Sequence, residues 1–147
     1  MFVGISNNIS KFGTTDIPNE MHLVHERKWP WEEWDRLLER SPIFHVGSAE
    51  TPLLIMHGEN DTRVSPTQSY ELYRNIKVRK PETPVRVVLY PGEGHGKARA
   101  AARYDYTLRM MEWFDTYLKT GDRKAEMPAP RPTLPAEAAG GGDADKK

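Results

Sequence analysis

Residues 52–64, PLLIMHGENDTRV, carry the strongest signal for a fold class in this sequence. Its first five residues are apolar, and the chain becomes polar from His57 onward. A continuous apolar run of this length is typical of a β-strand that is buried on both faces of a parallel sheet. The polar residues after it would form a loop at the carboxyl end of the strand, where such sheets carry their catalytic and binding groups.

A helix and a second strand are predicted after this loop. The stretch SPTQ, residues 65–68, is typical of a helix start, with a serine cap followed by proline, and it predicts a helix to about Val78. The stretch VRVVLY, residues 85–90, is apolar and β-branched, and Pro91-Gly92 ends it. The order strand, helix, strand predicts a right-handed parallel β-α-β unit.

The remaining segments extend this unit in both directions. The stretch MFVGI, residues 1–5, predicts a short buried strand, and residues 9–30 hold many loop formers that predict a long excursion with short helical turns. Residues 31–40 predict one helix with its tryptophans and leucines on one face. Residues 98–119 predict a last helix, closed by Gly121.

We therefore expect an α/β fold, a three-layer sandwich with a mostly parallel sheet, over residues 1–121. Residues 122–147 are rich in Pro, Ala and Gly, and this composition predicts a disordered tail.

Composition excludes several classes of partner and site. The chain has 21 basic and 21 acidic residues, so no basic face for nucleic acid is expected. The longest apolar runs are far too short to span a membrane. The absence of cysteine excludes disulfides, thiolate chemistry and cysteine-based metal sites. The histidines have no metal-ligand spacing, so we expect no metal.

The two loops after the predicted strands carry the residues that could do chemistry. Asp61 follows the first strand, and the stretch PGEGHG, residues 91–96, places His95 after the second. In α/β-hydrolases the triad runs serine, acid, histidine along the chain, and the acid orients the histidine base. Glycines on both sides of His95 would let the backbone turn tightly. Taken singly, Asp61 could be a turn former and His95 a loop residue without a role. His57 is expected to be structural.

At this spacing the motifs resemble a known family. PLLIMHGENDTRVSP at residues 52–66, SYEL at residues 69–72 and YPGEGHG at residues 90–96 are similar to the end of the catalytic domain of the prolyl oligopeptidase family. The resemblance implies a partial α/β-hydrolase fold and a serine peptidase, with Asp61 as the triad acid and His95 as the triad base. It implies a peptide substrate and no metal or organic cofactor.

The same resemblance implies substrate-binding residues. Arg63 matches a position that hydrogen-bonds a carbonyl of the bound peptide, and Val64 matches an apolar residue beside the primary specificity pocket. Asn8 and Phe12 lie where the family places pocket-lining residues. For Arg63, an ion pair with a glutamate of either loop or with another nearby carboxylate is an equal alternative.

One departure from the family pattern concerns the nucleophile. None of the six serines lies in a G-x-S-x-G nucleophile elbow. We therefore expect the serine and the oxyanion hole to lie upstream of Met1, and the chain alone to be inactive. The family resemblance also implies a β-propeller domain upstream. Two alternatives remain: an esterase or other hydrolase on the same fold, because the triad does not distinguish amides from esters, and a truncated, non-catalytic chain.

Overall fold

A two-stranded parallel sheet is the centre of the fold in the computed structural model, which describes residues 1–132. Strand β1 covers Leu53–Gly58 and strand β2 covers Val85–Tyr90. The strands pair in parallel, with Leu53 opposite Val85 and Gly58 opposite Tyr90. Both predicted strands and their parallel pairing are confirmed. Because their carboxyl ends lie side by side, the loops that follow β1 and β2 leave from the same edge of the sheet.

Five α-helices lie within the described part of the chain: α1 (Asn8–Thr14), α2 (Pro18–Glu20), α3 (Trp34–Glu39), α4 (Thr67–Arg79) and α5 (Ala100–Phe114). Short 3-10 helices cover Pro30–Glu32 and Pro42–Ser48, and π-helical turns cover Met21–His25 and Asp115–Lys119. The predicted excursion with short helical turns and the predicted helix between the strands are both confirmed. Among residues 1–132, no helix combines the length and apolar character needed to cross a membrane.

The side chains of β1 alternate between two cores, one on each face of the sheet. Leu54 and Met56 belong to a cluster with Trp113 of α5, whereas Ile55 packs with Leu72 of α4 on the opposite face. Ile55 is completely buried, and burying a side chain of this size contributes about 1.5–3 kcal/mol to folding. Helix, sheet and helix form three layers, so the predicted three-layer α/β sandwich is confirmed.

The predicted strand at residues 1–5 is wrong. Only Phe2 forms a bridge, in parallel with Met56, and it lies on the edge of β1 that does not face β2. The amide of Val3 donates to the carbonyl of Met56 at 3.1 Å. Val3 itself has a φ of 42°, a left-handed conformation that β-branched residues adopt at a cost. The chain therefore turns away from β1 after one bridge.

The predicted single helix at residues 31–40 is also wrong. Glu33, with φ −146° and ψ 42°, separates a 3-10 turn from α3. Leu37 is buried, but Trp31 is 58% exposed and stacks on Trp29 with ring centres 5.2 Å apart. The other two side chains of the predicted apolar face are exposed. The break at Glu33 removes the common face that helical spacing predicted.

The last helix is confirmed, although it starts two residues later than predicted. Arg99 is extended, with φ −76° and ψ 138°, so α5 begins at Ala100. Gly121 follows the helix with a φ of 73°, as expected for a helix end. Residues 122–132 form no helix or strand, yet they contact α5, since the Arg131 side chain bonds to Glu112 at 3.0 Å. The rest of the predicted disordered tail, from residue 133, lies outside the described residues.

Candidate active site

Asp61 lies in the turn that follows β1, and its side chain is completely buried. One carboxylate oxygen, Oδ1, accepts hydrogen bonds from the backbone N–H groups of Arg63 at 3.0 Å and Val64 at 2.9 Å. Aspartate bonds of this kind shape a tight turn. The turn holds the carboxylate in one orientation and leaves the second oxygen, Oδ2, directed toward the neighbouring loop.

His95 lies in that neighbouring loop, with its Nδ1 at 3.0 Å from Oδ2 of Asp61. The parallel pairing of β1 and β2 thus brings the two predicted catalytic residues together. Since the carboxylate oxygen is an acceptor, the hydrogen of the ring lies on Nδ1, and Nε2 keeps its lone pair. The ring is 49% exposed, and its Nε2 has no hydrogen-bond partner within residues 1–132. This nitrogen can accept a proton from a group outside the described chain.

His57 is the fifth residue of β1 and is completely buried. Its ring contacts the carboxylate of Asp61. Its Nε2 lies 3.1 Å from Oδ2 of Asp61 and 2.7 Å from the carbonyl oxygen of Val64. Both are acceptors, so Nε2 carries the hydrogen, and Nδ1 accepts from the Ser69 hydroxyl at 2.6 Å. Every ring position is satisfied. His57 is therefore structural, as expected, and links β1 to α4.

Ser69, His57 and Asp61 have the composition of a catalytic triad, but the geometry excludes that role. Ser69 and His57 are both 0% exposed, so no substrate reaches the Ser69 oxygen in this conformation. The Ser69 hydroxyl already donates to Nδ1 of His57. A nucleophile must lie where its oxygen can meet a substrate carbonyl at about 3–3.5 Å. The accessible ring in this site is that of His95.

The loops that carry Asp61 and His95 are in direct contact. The amide of Asn60 donates to the carbonyl of Glu93 at 2.9 Å, and the amide of Glu59 donates to the carbonyl of Tyr90 at 3.0 Å. A Cβ added to Gly58 would lie 2.5 Å from the carbonyl oxygen of Glu93 and closer still to that of Gly94. Gly58 therefore permits the close approach of the loops. The sequence analysis did not assign this packing role to Gly58. The signal that could have indicated it is a glycine at the end of a buried strand.

The chain bends at His95 and Gly96, but neither glycine beside the histidine is in the left-handed conformation that glycine favours. Neither Gly94 nor Gly96 has a positive φ; the left-handed residue of this loop is Gly92, with a φ of 72°. A Cβ on Gly96 would meet no atom within 4 Å. The turn that requires glycine therefore lies three residues before His95.

Arg63 forms an ion pair with Asp16, a partner 47 residues away, with its Nε at 2.7 Å from Oδ1. This bond is the main reason that the pKa of Asp16 lies below its usual value and that of Arg63 above it. Thr62 adds a hydrogen bond to the same carboxylate at 3.0 Å. The ion-pair alternative for Arg63 is therefore realised, with a nearby carboxylate from outside the two loops.

The other predicted substrate-binding residues take different places. Val64 is buried, and its backbone binds both Asp61 and His57. Asn8, at the start of α1, donates through its side chain to the carbonyl of Arg40 at 3.1 Å. Phe12 is half-buried and meets the rings of two tryptophans edge-on, at 6.1 and 6.0 Å. The structure does not bring Asn8 or Phe12 into contact with the Asp61–His95 pair.

Lys97, two residues after His95, was missed by sequence reasoning. Its ammonium nitrogen lies 4.4 Å from the ring centre of Phe2 and 4.1 Å from that of Tyr90. The nitrogen is buried without a hydrogen-bond partner within residues 1–132, and burial lowers the pKa of Lys97 to about 8. The two rings attract the cation through their π faces. This contact holds the segment that follows His95 against the rings of Phe2 and Tyr90.

No cluster of three or more histidine, aspartate or glutamate side chains in the described residues could hold a metal ion. The site is instead a buried carboxylate facing an accessible imidazole. Such a pair can orient and stabilise a histidine that moves a proton in acyl transfer.

Comparison with known proteins places this chain in a family. The model of the prolyl oligopeptidase family matches residues 2–121. The rat acylamino-acid-releasing enzyme is 33% identical over 122 residues, which cover 78% of this chain and 16% of the relative. An uncharacterized peptidase from Bacillus subtilis is 33% identical over 120 residues, covering 78% of this chain and 18% of the relative.

The chain spans less than a fifth of the length of these curated relatives. Among solved structures, the acylaminoacyl peptidase of Pyrococcus horikoshii superimposes with a TM-score of 0.71 at 22% identity, over 88% of this chain and 20% of that one. This likeness shows a shared α/β-hydrolase fold. Since the family match includes both strands and both loops of the site, the chain belongs to the prolyl oligopeptidase family.

Proposed function

We propose that this chain supplies the acid and the base of a serine-peptidase triad, with Asp61 as the acid and His95 as the base. The observation that carries the proposal is the bond of 3.0 Å between Oδ2 of Asp61 and Nδ1 of His95. The opposite ring nitrogen, Nε2, is left with a lone pair on an accessible ring. Membership of the prolyl oligopeptidase family supports the same assignment.

In this mechanism, His95 moves a single proton between the reacting groups. Its Nε2 takes the proton from a serine hydroxyl while the serine oxygen bonds to the peptide carbonyl carbon. The imidazolium then gives that proton to the leaving amine as the peptide C–N bond breaks, and an acyl-enzyme remains. A water molecule then gives a proton to Nε2 and bonds to the acyl carbon. The bond between that carbon and the serine oxygen breaks, and the imidazolium returns the proton to the serine as the acid leaves. Asp61 holds the Nδ1–H bond throughout and stabilises the charged ring.

The nucleophile of this reaction must come from outside the 147 residues, since none of the chain's serines lies in a G-x-S-x-G elbow. Relatives of which the match covers only 16% of the length support the presence of further catalytic-domain sequence. We also propose that this sequence includes a β-propeller domain, as the family resemblance implies. The chain by itself is then inactive.

A peptide is the proposed substrate, and Arg63 is its proposed contact within this chain. The Nε of Arg63 is engaged by Asp16, but its side chain is 46% exposed, so its terminal N–H groups can donate to a peptide carbonyl. The family resemblance also supports Val64 as an apolar residue beside the specificity pocket and Asn8 and Phe12 as residues that line it. Because the triad chemistry also suits esters, peptide and ester substrates should be compared in the same assay.

The test uses the chain produced together with the upstream part of its catalytic domain. Asp61→Asn should lower kcat/KM by about four orders of magnitude, because the ring loses the partner that selects its tautomer. Asp35→Asn, at an exposed position of α3, is the matched control and should leave turnover unchanged. The chain alone should not react with a fluorophosphonate. Full activity of Asp61→Asn, or stoichiometric labelling of any serine of the isolated chain, would contradict the proposal.

A further inference from the structure

The loop that carries His95 is closed at its base by a buried carboxylate. Glu93 precedes His95 by two residues and is 0% exposed. One of its oxygens, Oε2, accepts from the amide of Ala98 at 2.6 Å. The other, Oε1, accepts from the amide of Arg99 at 3.3 Å and from its Nε at 2.6 Å. The carboxylate therefore links the part of the loop before His95 to the part after it.

Arg99 completes this closure from the other side. Besides Glu93, its guanidinium group donates to the carbonyl of Pro91, the first residue of the loop. Burial raises the pKa of Glu93, but the Arg99 guanidinium and the two amides outweigh it, so the pKa lies below its usual value. Hydrogen bonds between charged groups are shorter and about twice as strong as neutral ones. The Glu93–Arg99 pair thus holds the first and last residues of the loop together.

The same residue also ties the loop to the turn of Asp61. The backbone carbonyl of Glu93 accepts from the amide of Asn60, the residue before Asp61, at 2.9 Å. Glu93 thus lies before His95 in the loop, binds Ala98 and Arg99 after it, and binds Asn60 in the neighbouring loop. His95, in contrast, is held at a single ring atom by Asp61, and its ring is half-exposed. The position of the His95 ring consequently depends on the loop backbone on both sides of it, which the Glu93 side chain holds in place.

We propose that Glu93, together with Arg99, is a positioning residue that keeps Nδ1 of His95 facing Asp61. This inference rests on the proposed function of the Asp61–His95 pair. Glu93 touches neither substrate nor nucleophile in this scheme. It acts by fixing the backbone on both sides of His95, so that the ring has one orientation before any substrate binds.

Nuclear magnetic resonance on the full chain tests this directly through the tautomer of His95. Wild type should show the hydrogen on Nδ1 of the neutral ring. Glu93→Gln keeps the size of the side chain but removes its charge and one acceptor, so the Nδ1–H population should fall. The Ala98 amide should exchange with solvent about tenfold faster or more, as expected for the loss of a bond to a charged group.

A control separates positioning from loss of stability. Glu33 is also a largely buried carboxylate with two charged partners, Lys28 and Arg36, each at 2.7 Å. Neither partner lies in the loop that carries His95. Glu33→Gln should lower the melting temperature and leave the tautomer of His95 unchanged. If Glu93→Gln does not fold, Arg99→Lys decides, because lysine keeps the charge but cannot form the forked contact.

Two outcomes overturn different claims. If Asp61→Asn shifts the tautomer but neither Glu93→Gln nor Arg99→Lys does, the positioning role of Glu93 is wrong and the proposed triad stands. The positioning role is equally wrong if Glu33→Gln shifts the tautomer as much as the loop variants do. If Asp61→Asn itself leaves the tautomer unchanged, the proposed Asp61–His95 pairing fails.

Discussion

Replacing Gly58 by alanine should break the contact between the two site loops. The new Cβ would lie 2.5 Å from the carbonyl oxygen of Glu93, 2.8 Å from its carbonyl carbon, and closest to the carbonyl oxygen of Gly94. All three atoms belong to the backbone, so no side chain can rotate to relieve the clash. An ordinary carbon–oxygen contact is roughly 3.4 Å. The loop must therefore move by about 1 Å or more.

This movement is large relative to the geometry of the site. The bond between Asp61 and His95 is 3.0 Å long, and side-chain hydrogen bonds are lost beyond roughly 3.5 Å. The clash should cost about 1–3 kcal/mol of folding stability, the usual range for an overpacked site. If the chain supplies the proposed triad residues, a displacement of about 1 Å should lower the turnover of the complete protein by about 10²-fold.

Urea unfolding of the chain measures the stability, and the His95 tautomer reports the loop. Gly13→Ala is the control, because a Cβ at this exposed position of α1 would meet no atom within 4 Å. Alanine should raise helix stability there by about 0.5–1 kcal/mol. If Gly58→Ala unfolds at the wild-type urea concentration and keeps the Nδ1–H tautomer of His95, the loops tolerate the added Cβ and Gly58 is not required for their contact.

Two further predictions concern the core. The pKa of Lys97 is about 8 in the folded chain against 10.5 for an ordinary lysine, so the unfolded chain binds more protons between these values and stability should rise with pH from about 8 to 10. Lys97→Met should flatten this rise in thermal melts, and an unchanged slope would assign it to other groups. Trp113→Ala should cost about 3–5 kcal/mol in chemical denaturation, since Trp113 is 5% exposed, whereas Phe114→Ala, at 45% exposure, should cost far less; equal losses would contradict the assigned core.

The wiring of the fold was predictable because its signals are local. Residues 52–56 and 85–90 are apolar runs that stop at His-Gly or at Pro-Gly, and the capped segment between them is long enough for one helix. Parallel wiring then leaves few arrangements, since crossover connections are right-handed. The meeting of Asp61 and His95 follows from that wiring alone, because both come directly after neighbouring parallel strands.

Errors arose where local pattern and tertiary contact disagreed. Residues 1–5 have the composition of a strand, but Val3 turns the segment away after a single bridge. Gln68 belongs to the stretch SPTQ that predicts a helix start, yet its side-chain oxygen accepts from the amides of Ser6 and Asn7 at 3.0 and 2.8 Å. A side chain that can form hydrogen bonds either within its own helix or to a distant segment has no local sequence signal that shows which bond forms.

Local patterns in the sequence are therefore sufficient to predict the β1–α4–β2 unit and the two loops that carry Asp61 and His95. The way these residues are held became visible only in the folded chain. Arg63 pairs with Asp16 across 47 residues, and the buried Glu93 side chain binds within its own loop. The physical reason is that secondary structure depends on neighbouring residues, whereas a buried polar group must find partners among whatever groups folding brings near it. Those partners are set by packing, which the spacing of residues along a chain does not encode.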